Sequence, residues 1–119
     1  MQCLSLEPFV PSGPDFDGSK RFFQELGFTV AWDAGDYVGF ENNGCAFILQ
    51  NYNHKIFAEN LMLSVGIKDA DNFYNEVIEN ELPQKFGIRI SKPANQPYGR
   101  EVNIIDLAGV CWHFVQGNG

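Results

Sequence analysis

Residues 15–28 read DFDGSKRFFQELGF, and whether this stretch stands alone or is repeated decides the fold. Asp15, Asp17 and Ser19 are capping candidates for a helix N-terminus, Phe22, Phe23 and Leu26 then recur on one face, and Gly27 is a natural stop. The stretch predicts a short amphipathic helix. A second helix with the same opening is predicted at KDADNFYNEVIENEL, residues 68–82. There Asp69 or Asp71 can cap, while Ala70, Phe73, Tyr74, Val77 and Ile78 keep helical spacing and Pro83 limits extension. The two acidic pairs lie 54 residues apart.

Strands surround both helices. LEPFV (6–10) precedes the first, and FTVAWD (28–33), YVGFEN (37–42) and AFILQNY (46–52) follow it, divided by the turn formers DAGD and ENNG. LMLSVGI (61–67) precedes the second, and IRISK (88–92), EVNIID (101–106) and VCWHFVQ (110–116) follow. Each half is therefore a strand, a helix and three strands. The halves also end alike: CAFILQ (45–50) matches CWHFVQ (111–116) position by position, 66 residues apart. The second half thus holds about a dozen extra residues, assigned to the Pro-rich loop SKPANQPYG (91–99). The expected organisation is one domain, with a first module over 1–52, a linker over 53–60 and a second module over 61–119.

A chain of 119 residues suits one small core, and 45% hydrophobic residues with eleven Phe suit a globular protein with aromatic surface to place. Eight Lys and Arg against 15 Asp and Glu give a net charge of −7, which repels a phosphate backbone and favours cationic partners. Nucleic acid is not an expected partner. No apolar run approaches the roughly 18 residues of a membrane helix, and MQCLSLEPFV lacks a basic region followed by an apolar stretch, so a cytoplasmic location is expected. Cys3, Cys45 and Cys111 cannot all pair within the chain and lack metal-finger spacing; they read as reduced thiols.

Residues 15–28 resemble the Asp-x-x-x-Ser-x-x-Phe-Tyr-x-x-Leu-Gly-Phe pattern of the vicinal oxygen chelate superfamily, which includes glyoxalase I, extradiol dioxygenases and the fosfomycin- and bleomycin-resistance proteins. DLAGVCWHFVQ (106–116) resembles that family's Asp-Pro-x-Gly-Asn-x-x-Glu/His-Phe ending, with Leu107 and Val110 where the pattern has Pro and Asn. FILQNYNHKIFAENLMLSVGIKDAD (47–71) is similar to the middle of the branch grouped with bleomycin-resistance proteins. The resemblance implies an α+β fold of two βαβββ modules forming a cup-shaped mixed sheet, usually completed in a homodimer.

In metal-using members the ligands come from the first and last strands of each module. The corresponding positions here are Pro8, Phe47, Met62 and His113, with the register of the first strand open around Glu7 and Pro8. One imidazole, even with Gln50 as a weak oxygen donor, falls short of the three protein ligands of a catalytic zinc site. Neither a metal nor another cofactor is expected, and no residue is assigned a catalytic role.

Strand alternation puts Cys111, His113 and Val115 on one face, with Trp112 and Phe114 on the other. The internal match then turns Cys45, Phe47 and Leu49 the same way as His113. A general base would need a carboxylate on its second ring nitrogen, which the sequence alone does not identify, so His113 reads as the hydrogen-bonding wall of a cleft. Cys45 and Cys111 read as small buried filler. His54, in the linker, reads as solvated. Trp32 and Tyr37 flank the acidic DAGD turn and form a mixed aromatic and anionic rim; Tyr98 is placed at a lid edge, and Arg100 in an ion pair holding its loop.

The expected ligand-binding set is therefore His113, Cys111, Phe47, Met62, Trp32, Tyr37, Gln50 and Tyr98. The expected function is metal-free sequestration of a cationic or aromatic small molecule in the cleft of a dimer. The alternative within the same superfamily is a divalent-metal-dependent lyase, isomerase or dioxygenase, and a non-catalytic interaction module is a third reading.

Overall fold

The computed structural model describes residues 1–118; Gly119, the last residue of the expected second module, lies outside the described residues. The first half runs β1 (Phe9–Pro11), α1 (Phe16–Leu26), β2 (Thr29–Asp33), β3 (Tyr37–Asn42) and β4 (Cys45–Gln50). After α2 (Lys55–Asn60), the second half runs β5 (Met62–Gly66), α3 (Ala70–Glu79), α4 (Leu82–Phe86), β6 (Arg89–Ile90), β7 (Ala94–Gln96), β8 (Gly99–Ile105) and β9 (Cys111–Gly117). This is an α+β fold in which each half folds its own sheet.

Both helices begin where their acidic residues predict. The Asp15 carboxylate accepts from the Gly18 amide at 2.9 Å, and Asp69 accepts from the Asn72 amide at the same distance, satisfying amides that have no partner inside a helix. Gly27, at φ 125°, ends α1 in a backbone conformation that a side chain would strain. The α1 apolar face buries Phe22 and Phe23, and α3 buries Ala70 and Val77. Burying one aromatic side chain contributes about 2–3 kcal/mol of transfer free energy.

The two sheets share one strand plan. The first has the order β1-β4-β3-β2 and the second β5-β9-β8-β6, with β7 added on β8. In each, the module's first strand is an edge strand paired in parallel with its last: Val10 faces Leu49, and Ser64 faces His113. Both sheets turn one face into a common core in which Phe23, Phe28 and Phe47 meet Trp112, with Phe47 and Trp112 ring centroids 5.1 Å apart.

That core corrects three expectations. Phe47 does not share a face with His113; it is 3% exposed and packs on Trp112. The burial alternation in β4 aligns Ile48, not Phe47, with His113, one residue away from the match by residue likeness. Cys45 therefore lies on the opposite side of its sheet from the side that Cys111 takes on its own, and it is exposed rather than buried filler. The two thiols do not line one cavity.

The extra residues of the second half are shared between the Pro-rich loop and α4, where Pro83 opens a helix rather than only preventing one. Part of the loop itself pairs as β7 on β8. The expected linker 53–60 folds mostly as α2, capped by His54, whose Nδ1 accepts from the Phe57 amide at 3.0 Å.

Candidate functional site

The hairpin joining β8 and β9 places the chemistry. Asp106 is only 7% exposed; its Oδ1 accepts from the amides of Ala108, Gly109 and Val110, and its Oδ2 accepts from Trp112 Nε1 at 2.9 Å. The turn is thereby locked, with Ile105 facing Cys111, Asn103 facing His113 and Glu101 facing Val115. Those six side chains point outward, away from Trp112 and Phe114, because side chains alternate along each strand. Burial raises the Asp106 carboxyl to about 6 against the pull of its four donors.

His113 has the carboxylate that a general base requires. Its Nδ1 lies 3.1 Å from Glu101 Oε1, and Glu101 is 6% exposed. The Tyr98 hydroxyl donates to the same oxygen at 3.0 Å, and this bond to a carboxylate raises the phenol above its ordinary pKa. On the other ring nitrogen, Nε2 lies 3.4 Å from Cys111 Sγ. Burial first, then the Glu101 and Asp106 carboxylates, push the Cys111 thiol up. Glu101 escaped the sequence reading, although a tight turn at 106–109 and strand alternation place it diagonally beside His113. Met62, 66% exposed, faces Cys111 from β5 on the same side.

The first sheet presents a different outward face. Gln50 faces Tyr37, Ile48 faces Gly39 and Phe9, and Trp32 faces Gly39. The Phe9 and Tyr37 rings meet edge to face with centroids 6.0 Å apart. Of the acidic rim, Asp33 accepts from the Gly35 amide and pairs with Lys20 at 3.2 Å, interactions that in that order lower its pKa, while Asp36 accepts from Asn51. A Cβ at Gly39 would collide with the Trp32 indole, so this glycine is what seats the ring flat on the sheet. Gly39→Ala should displace Trp32 toward water and red-shift its emission while Trp112, buried, stays unchanged; identical spectra would show that the ring does not depend on this seat.

The expected site residues thus divide into three places. His113, Cys111, Met62 and Tyr98 belong to the outward face of the second sheet, and Trp32, Tyr37 and Gln50 to that of the first. Phe47 instead floors an apolar groove of about 330 Å³ between β4 and β5, along with Phe28, Leu63, Val65 and Trp112. Arg100 forms the expected ion pair, its Nε and Nη2 donating to the two Asp71 oxygens at 2.9 and 3.0 Å.

The donor set does not fit the divalent ion used elsewhere in this fold. Pro8 lines the core-side groove with Phe47, so the first module turns Glu7 and Ile48 outward. With Met62 a soft thioether, Glu7 and His113 are the donors left at the four positions, short of the three a divalent ion needs. Among the described residues no three His, Cys, Asp or Glu side chains converge where they could hold a metal ion.

No protein-family model matches the chain, and no curated protein matches it in sequence. Solved structures do match in fold. The bleomycin-binding protein of Streptomyces verticillus, complexed with copper(II)-bleomycin, is 21% identical, with 99% of each chain covered and a TM-score of 0.77. The bleomycin resistance determinant encoded on transposon Tn5 is 19% identical over 98% of this chain and 100% of its own, with a TM-score of 0.80. The genomically encoded fosfomycin resistance protein of Listeria monocytogenes is 10% identical over 99% and 94%, with a TM-score of 0.76.

The chain therefore shares the paired-module fold of these bleomycin-binding and fosfomycin-resistance proteins. No helix among the described residues is long and apolar enough to cross a membrane.

Proposed function

We propose that this protein sequesters a small cationic aromatic molecule without turnover, acting in the cytoplasm as a homodimer. In this arrangement the aromatic face of the first sheet in one copy closes over the His113 face of the second sheet in the other. The observation that carries the reading is the pair of open faces: Phe9, Trp32 and Tyr37 on one sheet and Met62 and Tyr98 on the other are all 40% exposed or more. Such a concentration of uncovered large apolar side chains marks a surface for a partner or ligand. Stacking on Trp32 and Tyr37 beside Asp36 suits a flat cation, and the net charge of −7 adds long-range attraction.

The likeness to bleomycin-binding proteins supports an antibiotic of that kind as the first probe. Metal-free bleomycin should quench Trp emission saturably at low salt. Trp32→Phe should weaken binding at least tenfold, and added salt should weaken it further. Light scattering on the eluting peak should give twice the chain mass. A monomer at micromolar concentration, with no saturable quenching, would remove the basis of this reading.

A further inference from the structure

The binding reading uses His113 and Cys111 only as part of a wall and leaves their chemistry, with that of Glu101, unused. On the outward face of the second sheet, a thiol, an imidazole and a carboxylate stand in series: Cys111 Sγ is 3.4 Å from His113 Nε2, and His113 Nδ1 is 3.1 Å from Glu101 Oε1. An ionised Glu101 only accepts, so in the neutral imidazole it holds the proton on Nδ1 and leaves the Nε2 lone pair toward the thiol. A nucleophile within reach of a base, itself oriented by a third group, is the arrangement that activates side chains for attack.

A second, independent observation points to a ligand at the same place. Asn103 faces His113 directly across β8 and β9, and its Oδ1 is buried with no hydrogen-bond partner. An unpaired buried carbonyl oxygen is costly, and because Asn103 itself is only partly buried, rotation of its side chain toward the outward face lets a ligand N–H satisfy that oxygen.

From these features we propose that Cys111 captures α,β-unsaturated amides covalently, with His113 as its base, Glu101 as the residue that positions the imidazole, and Asn103 as the acceptor for the amide N–H. Cys111 Sγ bonds to the β-carbon while its proton passes to His113 Nε2. The alkene π pair moves toward the carbonyl, and the proton is then delivered to the α-carbon. The product is a saturated thioether, His113 is neutral again, and no other reactant is consumed. The proposal requires neither the dimer nor a cationic ligand.

The test is built into the chain. Cleavage after Lys and Arg separates Cys3, Cys45 and Cys111 into three peptides, so one mass-spectrometric time course with acrylamide gives three rates. Cys3 and Cys45 are exposed, whereas Cys111 is half-buried with its thiol pushed up, so access and acidity alone make Cys111 the slowest. The proposal expects the opposite, with Cys111 reacting at least tenfold faster than either. His113→Gln should abolish that advantage without changing the other two rates, and Glu101→Leu should reduce it. Asn103→Ala should erase the preference for acrylamide over N,N-dimethylacrylamide, each normalised to its rate with Cys3. If Cys111 in the unmodified protein reacts no faster than Cys3, the proposal is overturned whether or not the variants fold.

Discussion

Phe23→Ala should cost about 4 kcal/mol in unfolding free energy, the middle of the range for truncating a fully buried aromatic. Phe23 is 1% exposed, and its ring centroid lies 4.8 Å from Phe47, 5.3 Å from Trp112, 5.0 Å from Phe22 and 5.8 Å from Phe40. It is one ring touching a helix neighbour, two strands of the first sheet and the last strand of the second. Removing it leaves a cavity where one helix and three strands converge, and close-packed rings on all sides cannot collapse to fill it. For a domain of this size the melting temperature should fall by about 15 °C. Phe23→Leu, which keeps most of the volume, should cost about 1–2 kcal/mol. A loss below 1 kcal/mol for the alanine variant, read from urea midpoints at an unchanged m-value, would mean that the two sheets do not share one cooperative core.

Asp106→Asn should be the second most damaging change, at about 2–3 kcal/mol near pH 4. The amide can keep one oxygen toward the Ala108, Gly109 and Val110 amides, but it then turns an NH2 group onto Trp112 Nε1, setting donor against donor. Its pH dependence has a definite sign. Burial raises this carboxyl from 3.8 to about 6, so the folded state holds the proton more tightly than the unfolded chain does. That contribution to stability is complete below about pH 4 and is lost as pH rises through about 6, to a limit of about 3 kcal/mol at 1.36 kcal/mol per pKa unit. The gap between the natural protein and Asp106→Asn should therefore narrow between pH 4 and pH 7. Urea midpoints of the two proteins that stay parallel across that window would contradict the assignment. The depressed pKa values of Asp33 and Asp71 act in the opposite sense and below this window, their stabilisation being lost as pH falls.

Much of this fold could be read along the chain because its elements are locally encoded. Asp15 and Asp69 cap helices whose apolar spacing is 3.6, and strands of alternating pattern lie between turn formers, so the two halves show the same element order without any knowledge of contacts. The failures were in quantities that pairing decides. Matching CAFILQ to CWHFVQ by residue likeness put Phe47 beside His113, because two short apolar strings align equally well one residue apart. A shift of one residue turns every side chain to the other face.

The site was legible only in part, for the same reason. His113 and Cys111 stood out by type and spacing, but Glu101, Asn103 and Asp106 acquire their roles from the hairpin register that sets 103 against 113. The pocket expected around Phe47 lies instead between β4 of the first sheet and the edge strand β5 of the second, a space that neither sheet defines alone. The amino-acid sequence by itself determined α1, α3, the main strands of both halves and their duplicated order, since caps, periodicity and side-chain chemistry act within a few residues. Tertiary structure alone decided which way each strand faces and which carboxylate meets the imidazole, because hydrogen-bond register and core packing couple residues that are distant along the chain.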